Sequence, residues 1–149
     1  MTGVIIGVES TAHTFSFGLV TEEGIPRKSY SALYRPKEGG IHPREAADHH
    51  SNLASQLISR LMEEECLASN DVKAIAYSQG PGLGPCLRIG ANVSRALSEQ
   101  WEIPLVGVNH CVAHIEIGRN QTGCIDPVLL YVSGGNTQVI ARAGDRYQV

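Results

Sequence analysis

Two histidines, His110 and His114, lie four residues apart in the order His-x-x-x-His. On a helix this spacing places both side chains on one face about 6 Å apart, close enough to bind one metal ion. Two ligands do not complete a site, and such a pair is often purely structural. A metalloprotease helix has the order His-Glu-x-x-His, with the glutamate as general base. Here Cys111, Val112 and Ala113 intervene, which argues against peptidase chemistry.

A second candidate is the segment 133–137, Ser-Gly-Gly-Asn-Thr, between two strand-like runs. Glycines there let the backbone turn back and present bare N–H groups to an anion, as in a phosphate loop. A Gly-Gly pair serves a plain hairpin turn equally well. The segment 9–14 is a matching turn near the start of the chain, and two facing hairpins could hold one phosphate chain from both sides.

The segment 80–85, Gly-Pro-Gly-Leu-Gly-Pro, follows a predicted strand and leads into a predicted helix. Glycine loops in such positions approach ligands or other backbone. This one lacks the Lys and Ser/Thr of a P-loop, and a rigid loop that sets helix packing is the alternative interpretation.

A basic segment extends from Arg27 to Arg44. It carries five cations against the single acid Glu38, a local charge of +4, whereas the whole chain has a net charge of −3. The segment could bind nucleic acid, or it could be only a solvated face. Its cations are Arg27, Lys28, Arg35, Lys37 and Arg44.

The composition is that of a globular protein: 149 residues, of which 42% are hydrophobic and 18% charged. The four cysteines form no Cys-x-x-Cys pair, so reduced thiols are expected. No apolar run approaches the roughly 20 residues of a membrane span, and the chain starts without a signal-peptide pattern. We therefore expect a cytoplasmic protein without membrane contact.

Hydrophobic periodicity predicts the element order βββαβαβα. Strands are expected at 4–8, 14–20, 27–34, 73–77 and 105–108, and helices at 43–66, 86–101 and 110–119. Three hairpin-linked strands followed by alternating helices imply a mixed sheet, antiparallel on one side and parallel on the other, with helices on its faces.

After residue 126 the chain repeats its own beginning. Val128-Leu-Leu-Tyr-Val132 and the polar turn behind it echo Val4-Ile-Ile-Gly-Val8 and its turn. A fold that restarts with the same hairpin is typical of a duplicated, two-lobed architecture. We therefore predict one complete lobe over residues 1–126 and the first hairpin of a second lobe over 127–149.

Three ordered motifs together resemble the universal tRNA threonylcarbamoyltransferase family. They are Asn-His-Cys-Val-Ala-His-Ile-Glu-Ile-Gly at 109–118, Gly-Pro-Gly-Leu at 80–83 with Leu-Arg-Ile-Gly at 87–90, and Tyr-Val-Ser-Gly-Gly-Asn-Thr at 131–137. Tyr131 and Asn136 match best the archaeal and eukaryotic branch that works in the KEOPS complex.

The resemblance implies an α/β actin-like fold, shared with sugar kinases and heat-shock ATPases (the ASKHA, ribonuclease H-like group). It also implies transfer of threonylcarbamoyl from threonylcarbamoyl-AMP to the N6 amine of the adenine beside the tRNA anticodon. ATP or the adenylate would be the nucleotide ligand. Family members are about twice this length, so this chain is expected to be catalytically incomplete by itself.

The resemblance also assigns a site. One Fe or Zn ion would be bound by His110, His114 and Tyr131, and the adenylate would be lined by Tyr131, Val132, Ser133, Gly134 and Gly135. An Asp as fourth metal ligand and the adenosine pocket belong to the family's second lobe and lie outside this sequence. Ser10 departs from the glycine usual in the first hairpin, which argues against a close approach of phosphate there.

The implied partners are tRNA and the KEOPS subunits, namely a small dimerisation subunit and an atypical kinase. Two other functions stay open: a kinase-like phosphotransferase on the same fold, and a non-catalytic scaffold lobe. Kinases of this fold bind Mg through carboxylates, so His110 and His114 favour the acyltransferase over the kinase.

Overall fold

The computed structural model describes residues 3–133, 136–143 and 146–148. The chain divides into two compact units, one up to Val108 and one from Asn109 onward. The first contains β1 Val4–Glu9, β2 Thr14–Thr21, β3 Pro26–Leu33, α1 Pro43–Glu64, β4 Val72–Gly80 and α2 Gly84–Trp101, and β5 Leu105–Asn109 crosses the boundary. The second contains α3 His110–Thr122, β6 Val128–Ser133, β7 Asn136–Ala143 and β8 Arg146–Gln148.

The first unit is built on a five-stranded sheet in the order β3-β2-β1-β4-β5. β1 and β2 pair antiparallel with Gly7 opposite Gly18, and β3 continues the meander. On its other side β1 pairs parallel with β4. The predicted mixed sheet and the order βββαβαβα are thereby confirmed.

Strict alternation along β1 and β2 explains where the core lies. Val4, Ile6 and Val8 point to the same face of the sheet as Phe15 and Phe17, since alternate residues of a strand share a face. The buried residues Ala54, Leu57 and Leu61 of α1 join this cluster, and Ile89, Val93, Leu97 and Trp101 of α2 pack against it. Both helices of the first unit therefore cover one face.

One close contact ties α2 to the turn after β1. A Cβ added to Gly90 would lie 2.1 Å from Ser10 Oγ and 3.0 Å from Ser10 Cβ. Ser10 is buried, and its hydroxyl has no hydrogen-bond partner among the described residues. The Ser10 side chain is thus directed against α2.

This contact predicts a coupled pair of substitutions. Gly90→Ala should lower the free energy of unfolding by about 2 kcal/mol, because the added methyl group overpacks a site already filled by Ser10. Adding Ser10→Gly should recover at least about 1 kcal/mol of that loss. Gly84→Ala in the first turn of α2 is the matched control, because a Cβ there meets nothing within 4 Å. Urea denaturation of the wild type, of Gly90→Ala and Ser10→Gly singly, and of the double variant gives the coupling energy, and additive losses would refute the contact.

The second unit packs α3 on one face of the sheet β6-β7-β8. Cys111 and Ile115 of α3 meet Ile140 of β7 in a small buried cluster. The other face carries exposed apolar side chains, namely Val128, Leu130, Val132 and Val139. The first three correspond in the sequence repeat to Val4, Ile6 and Val8, the residues that the first unit buries under its helices.

The compact units divide at residue 108, so α3 groups with the second hairpin. The lobe boundary between residues 126 and 127 is inferred from the sequence repeat, and it stays a prediction. β8 and a short 3-10 turn at Ser69–Asp71 are elements that the sequence did not predict. Gly134 and Gly135, two of the expected site residues, lie outside the described residues.

Candidate functional site

Local sequence explains why α3 begins at His110. The side chain of Asn109 accepts hydrogen bonds from the backbone N–H of Cys111 at 2.9 Å and of Val112 at 3.3 Å. Asparagine is among the best residues for this capping role. Gly123, with a φ of 69°, ends the helix in the left-handed conformation that favours glycine. The cap at Asn109 places His110 in the first turn and His114 directly above it.

The two imidazole rings of α3 meet edge to face. Their centroids lie 4.6 Å apart at an interplanar angle of 84°, and the Nε2 atoms of His110 and His114 are 3.2 Å apart. The predicted stacking on one helical face is confirmed. Two Nε2 atoms this close can form one hydrogen bond, when one neutral ring carries its proton on Nε2 and the other does not, or they can bind one cation.

Tyr131 joins these histidines from the neighbouring strand β6. Its ring centroid lies 6.0 Å from that of His110 and 5.6 Å from that of His114. Leu129 and Tyr131 alternate with exposed residues along β6, so their side chains lie on the opposite face of the strand. There they pack on the cluster of Cys111, Ile115 and Ile140, which holds the Tyr131 ring in place. The structure thus brings together the three side chains that the family resemblance assigns to metal binding.

The separation of the two imidazole nitrogens is compatible with binding to one transition metal ion. Two nitrogens bound to one Zn at about 2.0–2.1 Å lie about 2.9 Å apart at a right angle and about 3.3 Å apart at the tetrahedral angle. The observed separation of 3.2 Å falls within this interval. Imidazole and phenolate ligands suit Fe or Zn better than Mg. No group of three or more His, Cys, Asp or Glu side chains suited to a metal occurs within the described part of the chain.

Cys111 lies on the same helix but does not belong to this ring cluster. It is buried, and burial raises the pKa of its thiol. Its Sγ lies 3.8 Å from Gln138 Oε1, a weak S–H donor contact within the second unit. Cys111 therefore serves as a small packing residue, as the sequence indicated.

The predicted phosphate loop connects two paired strands. Ser133 of β6 stands opposite Asn136 of β7 in an antiparallel register, so the connection has two residues, Gly134 and Gly135. A hairpin at this place is confirmed. The expected contact of Tyr131, Val132, Ser133, Gly134 and Gly135 with the adenylate stays a prediction, because no ligand is bound and the two glycines lie outside the described residues.

The turn between β1 and β2 is held from three sides. The carbonyl of Thr11 accepts from the N–H of Leu83 at 2.7 Å, that of Ala12 from His50 Nε2 at 2.9 Å, and that of His13 from the N–H of Tyr34 at 2.7 Å. A Cβ on Gly82 would lie 2.5 Å from the Thr11 oxygen. The glycine-rich loop thus packs directly on this turn, which favours its interpretation as a rigid packing loop.

A carboxylate already occupies part of this first turn. Glu9 accepts a hydrogen bond from the backbone N–H of Thr11 at 2.6 Å and another from the Ser78 hydroxyl. The N–H of Thr11 is therefore engaged with an anionic side chain of the protein itself. The idea that the first hairpin offers this amide to a phosphate is not supported by the geometry.

His50, the neighbour of this turn on α1, is fully buried. Its Nε2 donates to Ala12, its Nδ1 lies 3.3 Å from His49 Nδ1, and its ring packs 5.5 Å from Phe15. Burial lowers its pKa below the ordinary 6.5, and His49 and His13 act in the same direction, whereas the Ala12 carbonyl and Glu9 oppose them. The folded protein therefore favours the neutral ring.

A pH dependence of stability follows from His50. Because the pKa of His50 is lower in the folded state than the unfolded value of 6.5, the unfolded protein takes up a proton more readily as the pH falls below 6.5. The contribution of His50 to the free energy of unfolding is therefore complete above this pH and is lost below it. His50→Gln retains a donor for the Ala12 carbonyl and has no proton to take up, so its free energy of unfolding should change less between about pH 7.5 and pH 5.5. Urea denaturation at both values measures this, and an equal decline in both proteins would assign it to other groups.

Among the described residues, one cation of the basic segment forms an ion pair and four do not. Lys28 Nζ lies 2.7 Å from Glu64 Oε2, and Arg60 contacts the same carboxylate at 2.6 Å. These two cations hold the pKa of Glu64 down at about 2. The other basic residues of the segment form no ion pair with any residue that the structure describes, namely Arg27, Arg35, Lys37 and Arg44. Lys28 is therefore engaged by Glu64, a carboxylate that it shares with Arg60.

The sequence matches one family over most of its length. Residues 27–149 match the family described as TsaD, tRNA N6-adenosine threonylcarbamoyltransferase. The chain is 54% identical over 146 residues to the tRNA N6-adenosine threonylcarbamoyltransferase of Archaeoglobus fulgidus, covering 98% of this chain and 44% of that protein. It is 50% identical to a probable bifunctional tRNA threonylcarbamoyladenosine biosynthesis protein of Thermoplasma acidophilum, covering 98% of this chain and 27% of the relative. The chain thus spans less than half the length of these relatives.

Solved structures show the same fold at low sequence identity. YeaZ from Pseudomonas aeruginosa superimposes with a TM-score of 0.66 over 99% of this chain and 67% of its own, at 16% identity. The ethanolamine utilization protein EutJ from Carboxydothermus hydrogenoformans reaches 0.59 over 100% of this chain and 51% of its own, also at 16% identity. Both have the actin-like fold, which confirms the predicted fold class.

None of the described helices combines the length and apolar character needed to cross a bilayer.

The ring cluster on α3 and β6, the actin-like fold and the match over residues 27–149 agree with one another. The chain belongs to the tRNA N6-adenosine threonylcarbamoyltransferase family.

Proposed function

We propose that the full-length protein transfers threonylcarbamoyl from threonylcarbamoyl-AMP to the N6 amine of the adenine next to the anticodon in tRNA. Family membership supports this reaction class. The observation that carries the proposal to this chain's own residues is the convergence of His110, His114 and Tyr131, with a separation of 3.2 Å between the two Nε2 atoms.

The proposed cofactor is one Fe or Zn ion held by His110, His114 and Tyr131. When bound, such an ion supplies a Lewis acid that stabilises negative charge on the carbamoyl oxygen. The side chains contribute fixed geometry: the Asn109 cap and the packing of β6 orient both imidazoles and the phenol ring before substrate arrives. An amine attacking a carbamoyl carbon gains more from such positioning than from a strong base.

The leaving phosphate is proposed to lie at the β6–β7 connection. Backbone N–H groups of Ser133, Gly134 and Gly135 would hold the adenylate phosphate, and the Tyr131 ring together with the backbone of Val132 would line the threonylcarbamoyl group. ATP would compete for the same place. The antiparallel register of Ser133 and Asn136 supports a two-residue connection compatible with this role.

The decisive assay supplies the full-length protein with threonylcarbamoyl-AMP and unmodified tRNA. Nucleosides from the digested tRNA, separated by mass, should contain threonylcarbamoyladenosine. Incubation with ATP tests the kinase-like alternative in parallel. Phosphoryl transfer without modified adenosine would replace the acyltransferase, and inactivity of a correctly folded, metal-loaded protein together with its partner subunits would favour the scaffold lobe.

We also propose the KEOPS subunits as partners, a small dimerisation subunit and an atypical kinase, acting in the cytoplasm. The word bifunctional in the name of the Thermoplasma relative supports a functional link between the transferase and a second activity. Leu57 and Leu61 of α1 are buried against the sheet. A partner on this helix would therefore contact their half-buried neighbours Ile58 and Met62.

A further inference from the structure

The connection between β3 and α1 forms one wall of an open cleft on the first unit. The cleft has a volume of about 550 Å³. Its lining residues come from this connection and from the first turn of α1, namely Tyr34, Arg35, Pro36, Lys37, Glu38, Gly40, His42 and Glu45.

Tyr34 anchors the start of this connection through three contacts. The Tyr34 N–H donates to the His13 carbonyl at 2.7 Å, and the Tyr34 hydroxyl donates to Glu45 Oε2 at 2.5 Å. The Tyr34 ring also packs against the cluster of Ala46, Ala47 and Cys86. At Tyr34 the connection is therefore anchored to the first turn, to α1 and to α2, and Arg35 follows directly after this anchor.

Two of the lining side chains are cations without a partner in the described residues. Arg35 and Lys37 are exposed and form no ion pair with a described residue, whereas Lys28 forms one with Glu64. Of the two lining carboxylates, Glu45 is engaged by the Tyr34 hydroxyl. Glu38 is the other, and it opposes the binding of an anion.

We propose that this cleft binds the phosphodiester backbone of the tRNA, with Arg35 and Lys37 as the phosphate contacts. The inference rests on the proposed function and gives its nucleic-acid substrate a contact surface. The planar guanidinium of arginine can bind two phosphate oxygens, and lysine offers a mobile point charge. The pair therefore suits a phosphate backbone whatever the sequence of the bases. The open form of the cleft admits a polymer.

The test measures tRNA binding to the full-length protein by fluorescence anisotropy across a series of salt concentrations. Replacing Arg35→Gln and Lys37→Gln together should weaken binding on the order of 30-fold near 0.1 M salt, and should reduce the slope of log affinity against log salt by about 1.4–1.8. Glu38→Gln should strengthen binding roughly threefold, a gain that a merely structural role would not produce.

Lys28→Gln is the matched control, because it removes one charge from the same segment but one already paired with Glu64. It should leave the salt slope nearly unchanged. If the wild-type protein binds tRNA and forms the modified nucleoside while the double variant keeps the wild-type affinity and slope, the cleft proposal is overturned and the proposed function stands. If the wild-type protein does neither, both fall together.

Discussion

Replacing His110 and His114 together by alanine is expected to remove the proposed Fe or Zn ion from the full-length protein. Loss of a residue that only orients a ligand already lowers metal affinity by about 10- to 100-fold, so removal of two ligands should lower it by more than about 100-fold. The transfer rate should fall on the order of 10³-fold, since a bound Lewis acid contributes several kcal/mol to charge stabilisation. Elemental analysis and the nucleoside assay measure the two effects.

The fold should survive this double substitution. His114 is exposed and His110 half-buried, and the small core of the second unit is formed by Cys111, Ile115 and Ile140 instead. His13→Ala, at an exposed histidine outside the ring cluster, is the control for metal content and should retain the ion. Undiminished Fe or Zn in the double variant would remove His110 and His114 from the metal site.

Gly134→Val is expected to abolish binding of the adenylate or of ATP by the full-length protein. A valine Cβ and its methyl groups would obstruct the proposed contact of backbone N–H groups with phosphate, so affinity should fall by at least about 100-fold, as for several lost charge-assisted hydrogen bonds. The expectation comes from the sequence and the hairpin register, since Gly134 itself lies outside the described residues.

Calorimetric titration and thermal melting of the same sample separate binding from folding. Gly24→Val is the matched control: Gly24 lies in the exposed turn between β2 and β3 with a φ of 81°, so valine there should lower the melting temperature and leave nucleotide affinity intact. Normal nucleotide affinity in a destabilised Gly134→Val protein would show that the segment 133–137 is a plain turn and does not bind the phosphate.

The strands and helices could be predicted because their periodicity reflects burial. Phe15, Phe17 and Leu19 alternate with polar or small residues because one face of β2 meets the helices. The stacking of His110 and His114 was equally predictable, since four residues complete about one turn of α3. In both cases the interaction is local along the chain.

Contacts between distant residues could not be predicted in this way. Lys28 and Glu64 are 36 positions apart, and nothing in either neighbourhood indicates the ion pair that removes Lys28 from the basic segment. The burial of His50 against the turn after β1, and of Ser10 against Gly90, depends on how α1 and α2 pack on the sheet. Glu9 likewise reaches Ser78 only because β1 and β4 are neighbours.

X-ray absorption at the metal edge of the full-length protein tests the proposed metal site most directly. The geometry predicts two imidazole nitrogens at about 2.0–2.1 Å from one Fe or Zn ion, together with an oxygen ligand that Tyr131→Phe removes. A first shell without imidazole, or a spectrum that Tyr131→Phe leaves unchanged, would contradict the metal site of His110, His114 and Tyr131.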